Sequence, residues 1–214
     1  MAAVTGLRYG ALTDVVHLCV DMQVMFAEQT AWSTPWMRHV LPRVVALCER
    51  VPDRTIFTRF LPPLEPAGAS GSWRRYYERW PMMTRQALEP DQLDLLPELR
   101  LFCPPARLWD KSTYSPWICG RLHASLAARA VRTIVVSGGE TDVCVLATTL
   151  GAADLGYRVV VAADGLCSSA DETHDAVLSL LSNRFGQQVE TATIEEILYG
   201  LVASEPCAGS RITA

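Results

Sequence analysis

The stretch Arg132–Gly165, "RTIVVSGGETDVCVLATTLGAADLGYRVVVAADG", decides the fold. Its first part, "RTIVVSGG", holds a short run of β-branched apolar residues, the pattern of a strand buried on both faces. Gly138 and Gly139 interrupt that run. "TDVCVLATTLGAADLGY" then reads as a helix stopped by Gly156. "RVVVAADG" is the next apolar strand. Two strands joined through a helix of this length are parallel neighbours in one sheet.

The same alternation extends in both directions. "DVVHLCVDMQ" contains a buried strand, Val15 to Val20, ending at Asp21. Thr34 to Arg50 has helical spacing, with Pro35 in its first turn. "RTIFTRF" and "ARLWDKS" read as the second and third strands, and Pro116 to Ala128 as a helix. Beyond the opening stretch come a helix over Asp171 to Asn183, a strand "QVETA", and a last helix from Ile194 to Val202. Thr193 and Glu196 have capping-box spacing at its start. The result is one α/β domain over residues 1–214, with a six-stranded parallel sheet in a core of about 14–201. The tail from Ser204 is expected to be mobile.

One segment, about 61–105, departs from the alternation. It is rich in Pro and Gly, with a short helix around "SWRRYYERW". Long stretches of this kind are lids and binding elements, or else disordered. Trp73, Tyr76, Tyr77 and Trp80 make this one too aromatic for disorder.

The chain has 214 residues and a formal net charge of -4. With no basic stripe, nucleic acid and anionic membrane surfaces are excluded as partners. No apolar run approaches the roughly 20 residues that cross a bilayer. The start "MAAVTGLRYGALTD" lacks the pattern of a secretory signal, so the cytoplasm is expected. Seven cysteines are scattered without a CxxC pair, which argues against a disulfide framework or a thiolate zinc site. Cys19 and Cys48, in apolar surroundings, read as buried and inert.

In parallel α/β sheets function gathers at the carboxyl ends of the strands. Three polar residues stand there. Asp21 follows the first strand, where a loop or cap role competes with a functional one. Lys111 follows the third and is the chain's only lysine. Cys144 lies beyond the fourth strand near the start of a helix, a position that favours the thiolate. Packing against the sheet is its competing role. The Gly138–Gly139 pair lets the backbone turn tightly and aim N–H groups into a cavity.

Three pieces carry a resemblance: "DMQVMF" at Asp21–Phe26, "DKSTYSPW" at Asp110–Trp117, and "GGETDVCVLATTLGAADLGY" at Gly138–Tyr157. In this order and spacing the chain resembles the isochorismatase-like cysteine hydrolase superfamily. Within it, the chain is similar to the metal-independent carbamoylsarcosine, ureido and biuret amidohydrolases. The resemblance implies a Rossmann-like sheet of order 3-2-1-4-5-6 and a homodimer or homotetramer. It makes Cys144 the nucleophile, Asp21 the proton acceptor and donor, and Lys111 the stabiliser between them. It also implies a cis peptide at Gly139–Glu140 and an oxyanion hole from the backbone N–H groups of Glu140 and Cys144.

Departures from the family narrow the reading. Nicotinamidases carry an Asp-x-His metal motif and a further His after the second strand, where this chain reads "TRFLPPLEPAG". No metal or other cofactor is expected, and His17, His39, His123 and His174 fit no ligand spacing. Isochorismatases proper lack the nucleophilic cysteine, so Cys144 favours cleavage of a C–N bond in a small-molecule substrate. Vinyl-ether hydrolysis, or a non-catalytic binding or assembly protein, are the alternatives. Arg59, Arg74 and Arg75 are candidates to clamp a substrate carboxylate or ureido oxygen. Phe26, Trp73, Tyr114 and Trp117, with Tyr76, Tyr77 and Trp80, are candidates to wall the pocket. Packing in the core or at a subunit interface competes for the aromatic residues. In the 3-2-1-4-5-6 order Lys111's strand lies two places from Asp21's, roughly 10 Å away at ~4.8 Å per strand. The lysine reaches inward, or its segment folds over the sheet end.

Overall fold

Six parallel strands form one sheet: β1 (Val15–Val20), β2 (Thr55–Phe60), β3 (Arg107–Lys111), β4 (Thr133–Gly139), β5 (Arg158–Cys167) and β6 (Val189–Ala192). Their order is β3-β2-β1-β4-β5-β6, with the switch in direction between β1 and β4. This is a computed structural model, and it describes residues 6–201. The expectations for Val202, for the tail from Ser204 and for Cys207 lie outside those residues.

β1 sits at the centre because all six of its side chains tolerate burial. Val16, Leu18 and Val20 face a cluster that includes Leu122, Leu126, Ala152, Val177 and Leu181. Val15 packs with Leu47, Val160 and Ile197, and Cys19 with Val44 and Phe57. The alternation follows the two-residue period of a strand. The one polar side chain, His17, is satisfied in place, with Nδ1 3.2 Å from Thr55 Oγ1 and Nε2 2.8 Å from Ser137 Oγ. Burial lowers its pKa to about 3, so it is a neutral core residue.

Three helices start or break differently from the sequence pattern. The first long helix runs Met37–Arg50, with Trp36 as its cap, so Pro35 precedes it instead of occupying its first turn. Between Pro116 and Ala128 only Arg121–Ala127 is helical, because Gly120 adopts φ +68° at its cap and breaks the run. The expected helix from Thr141 opens with a π-turn over Thr141–Val145 and becomes α-helical only at Leu146–Asp154. The capping box at the last helix, Ile194–Gly200, forms as its residues dictate, with Thr193 Oγ1 accepting from the Glu196 amide.

Residues 61–105 are ordered by their own apolar residues. Gly71–Arg79 is a helix, and Tyr77, Met83, Leu88, Leu95, Leu96 and Leu99 are buried in the cluster that holds Phe57 and Phe60. The segment therefore closes one face of the sheet near the carboxyl ends of β1 and β2. Among the described residues no helix is long and apolar enough to cross a membrane.

Candidate active site

Asp21 is the first residue past β1, and its backbone turns sharply there with φ +48°, a conformation that Asp tolerates better than most residues. That turn keeps its carboxylate over the sheet end. Only 1% of the residue is exposed. Thr58 of β2 holds it twice: the Asp21 amide donates to Thr58 Oγ1 at 3.2 Å, and Thr58 Oγ1 donates to Asp21 Oδ1 at 2.6 Å. The second carboxylate oxygen accepts from Lys111 Nζ at 2.6 Å.

Lys111 ends β3, two strands away, and it reaches inward along its own four-carbon stem. In the sheet register it is the partner of Phe60 on β2. Its ammonium lies 5.1 Å from the centre of the Phe60 ring, within cation–π range. It then donates to Asp21, to the Thr113 carbonyl at 3.1 Å, and to Cys144 Sγ at 3.4 Å. All three residues, Asp21, Lys111 and Cys144, are buried. A planar guanidinium on the same path would be wider than the gap that one nitrogen fills.

Cys144 sits in the π-turn that follows β4, and π-turns recur where a helix end is shaped for function. Its carbonyl accepts from Thr148 Oγ1 at 2.7 Å, which ties the turn to the α-helix behind it. Gly138 lets β4 arrive there. It is the register partner of Val20, it has φ +105°, and a Cβ on it would lie 2.1 Å from the Val20 carbonyl oxygen. The Gly139–Glu140 peptide is cis. The Asp142 carboxylate beyond it accepts from Ser168 Oγ, fixing the turn against the end of β5.

The ionisation of the group follows from burial and charge. Burial pushes the Cys144 thiol well up, and Lys111 offsets only part of that while Asp21 adds to it. The sequence position alone favoured a thiolate; desolvation reverses that expectation. Burial opposes the Lys111 ammonium, yet the charges of Asp21 and Cys144 and its hydrogen bonds to them raise its pKa on balance. Glu140 is also raised, first by burial and then by Asp142 and Asp21. The resting group is thus a neutral thiol beside an ammonium–carboxylate pair.

The aromatic candidates divide into two sets. Trp73 meets Tyr114 at 4.7 Å and Phe60 at 6.1 Å between ring centres, and it stacks on Tyr77. Burial raises the phenols of Tyr76, Tyr77 and Tyr114, and a thiolate formed at Cys144 would raise each of them further. Phe26 is buried and stacks on Trp32. Trp117 belongs to the core instead: its Nε1 donates to the Thr148 carbonyl at 2.9 Å and its ring stacks on Tyr157. Trp80 lies beneath the Arg79 guanidinium, 5.3 Å away.

The expected arginine clamp is not brought to the site. Arg59 holds both oxygens of Asp110, at 2.8 and 3.0 Å, and reaches Asp94 at 3.0 Å. Arg74 is exposed and donates to the carbonyls of Ala67 and Ala69. Arg75 is exposed on the same helix. Thr58, Phe60, Thr113 and Trp32 complete the surroundings, and sequence reasoning did not single them out. The strand register could have flagged Phe60 as Lys111's partner; nothing local marks Thr58. Of the histidines, His123 meets the Tyr157 hydroxyl and His174 meets Thr141 Oγ1, each at 2.8 Å. Among the described residues no group of three or more His, Cys, Asp or Glu is placed to hold a metal ion.

Comparison with known proteins gives the family and the fold. The family model described as "Isochorismatase domain" matches residues 15–193. An uncharacterised isochorismatase family protein, PncA, of Bacillus subtilis is 28% identical over 132 residues, covering 62% of this chain and 64% of the relative. Nicotinamidase 3 of Arabidopsis thaliana is 29% identical over 96 residues, 45% of this chain and 48% of that protein. The matches thus span about two thirds and one half of these curated relatives. A cysteine hydrolase from Pseudomonas syringae shares the fold, with a TM-score of 0.75 at 20% identity, over 94% of this chain and 98% of its own. On the family match, which runs from the first strand through the last, the chain belongs to the isochorismatase family.

Proposed function

We propose that the chain is a cysteine hydrolase that cleaves the C–N bond of a small amide, carbamoyl or ureido compound. One observation carries this reading: a single ammonium, Lys111 Nζ, bridges a buried carboxylate at 2.6 Å and a buried thiol at 3.4 Å. A buried thiol with a raised pKa is a poor nucleophile until a base removes its proton. Asp21, held by the same ammonium that meets the thiol, is the adjacent base.

In the first half-reaction Cys144 Sγ attacks the carbonyl carbon as its proton passes to Asp21. Lys111 remains charged throughout and stabilises the developing thiolate. Backbone N–H groups of Glu140 and Cys144 receive the oxyanion. The C–N bond then breaks, the Asp21 proton leaves with the amine, and a thioester on Cys144 remains. In the second half Asp21 deprotonates a water, which attacks the thioester; the acid product departs and the thiol regains its proton. The similarity to a nicotinamidase supports an amide as the substrate class.

Ammonia release from a panel of small primary amides and ureido compounds tests the reading, comparing wild type with Cys144→Ala. Turnover lost in the variant, with an acyl adduct trapped on the Cys144 peptide of the wild type, is the expected result. Equal turnover in both proteins defeats the covalent mechanism.

A further inference from the structure

A cleft of about 590 Å³ lies between the 61–85 segment and residues 109–121. That volume is in the range of small-molecule pockets, roughly 300–1,000 Å³. The cleft adjoins the catalytic group at Lys111 and Thr113, the two residues joined by the 3.1 Å hydrogen bond from Lys111 Nζ. Trp73 and Tyr77 form part of its wall.

Two features of the wall call for a ligand. Tyr77 is 1% exposed, and its hydroxyl has no hydrogen-bond partner among the described residues. A buried hydroxyl left so is unfavourable until an acceptor reaches it. The charges of the wall are also unbalanced. Asp110 is held by Arg59 and Lys111 is paired with Asp21. Arg85 and Arg121, both in the lining, form no ion pair among the described residues. Arg121 lies over the Trp109 ring, and Arg85 is exposed.

We infer that this cleft holds the carboxylate end of the substrate, with the Arg85 guanidinium and the Tyr77 hydroxyl as its donors. The inference rests on the amidohydrolase reading above and narrows it to amides that carry an acid at the far end. A planar carboxylate takes two parallel hydrogen bonds from one guanidinium and a further one from a phenol. The orientation follows from the other charges. Lys111 beside Cys144 is already paired with Asp21, whereas Arg85 in the cleft has no ion pair among the described residues, so the uncharged amide end faces the thiol and the acid end faces the cleft.

Binding to Cys144→Ala, which cannot turn over, measures this directly. Tryptophan fluorescence is titrated with monoamides of short dicarboxylic acids, malonic to adipic, and with their methyl esters. At least one acid is expected to bind about tenfold or more tightly than its ester, the scale of a charge-assisted hydrogen bond. Arg85→Gln, an exposed position where folding is not at stake, is expected to abolish that preference, and Tyr77→Phe to reduce it. Equal affinity of every acid and its ester, or a preference that survives Arg85→Gln, overturns the inference. Acylation of wild-type Cys144 by 4-nitrophenyl acetate reports the nucleophile separately. Acylation without acid preference sinks the cleft assignment alone, whereas absence of acylation sinks the hydrolase reading with it.

Discussion

Lys111 and Phe60 are register partners on neighbouring strands, and the lysine crosses its partner's ring to meet Asp21 one strand farther on. The aromatic ring is the surface along which a cation travels from the sheet edge toward the centre. It supplies a favourable face for the ammonium without competing for its hydrogen bonds.

Replacement of that cation tests the fit. Lys111→Arg keeps the charge but places a broad, five-donor plane where one nitrogen fits. A loss of roughly 100-fold in kcat/KM is expected, the scale of removing one oriented electrostatic group. Lys111→Met leaves the Asp21 carboxylate buried without its cation, and unfolding in urea should show about 3–5 kcal/mol of lost stability. Full turnover by Lys111→Arg would reduce the chain's single lysine to a compositional accident.

Thr58 orients the carboxylate. Thr58→Val removes the 2.6 Å bond to Asp21 Oδ1 while keeping the shape of the side chain. A buried hydrogen bond to a charged group contributes about 1.5–3 kcal/mol. The variant should lose stability on that scale in urea unfolding and lose activity at least tenfold, with Thr58→Ser recovering both in part. An unchanged kcat/KM in Thr58→Val would show that Lys111 alone positions Asp21.

The six described cysteines should react unequally with a mild alkylating agent. Cys119 is exposed, and hydrogen bonds from Arg121 lower its thiol pKa, so it should be labelled first near pH 8. Cys144 is buried and raised, as are Cys19, Cys48 and Cys167, and it should react slowly until the pH climbs above the ordinary thiol range. Peptide mapping by mass spectrometry gives the order. Faster labelling of Cys144 than of Cys119 would mean that its thiolate is populated at rest.

His17 makes the fold acid-sensitive. Its folded pKa, about 3, lies below the ordinary 6.5, so the unfolded chain binds the proton more readily. The stabilisation is therefore complete above about 6.5 and is lost as pH falls through that window toward 3. The urea midpoint should drop across the interval, and the slope should be shallower in His17→Gln. Identical slopes would place the acid sensitivity in the carboxylates.

Gly138→Ala puts a Cβ 2.1 Å from the Val20 carbonyl oxygen, on a backbone at φ +105°. Neither strand can yield, because both are central. Destabilisation of roughly 4 kcal/mol or more is expected from such a clash, read as a fall in Tm or loss of soluble protein. A normal Tm would require β4 to enter the turn by another path.

The residue pattern alone identified the alternating strands and helices, because burial on both faces of a parallel strand forces largely apolar runs such as Val15–Val20, broken only by His17, and Ile134–Val136. It also placed Asp21, Lys111 and Cys144 near the carboxyl ends of strands, Asp21 directly after β1, Lys111 at the end of β3 and Cys144 in the turn beyond β4. The motif resemblance supplied the strand order, which the sheet shares. Helix starts were less legible. The left-handed Gly120 and the π-turn at Thr141–Val145 are backbone choices made by neighbouring strands, and no periodicity reports them.

What lay beyond the sequence was every property that depends on residues far apart in the chain. The path of Lys111 required a ring from β2 beneath it. Arg59 left the list of free cations only because Asp94 and Asp110 stand beside it in space. The Cys144 thiol was expected as a thiolate from its helix position, and burial among residues distant in the chain, with Asp21 nearby, reversed that. Local pattern determines which face a side chain takes. Desolvation and charge pairing are sums over neighbours, and only the folded chain chooses the neighbours.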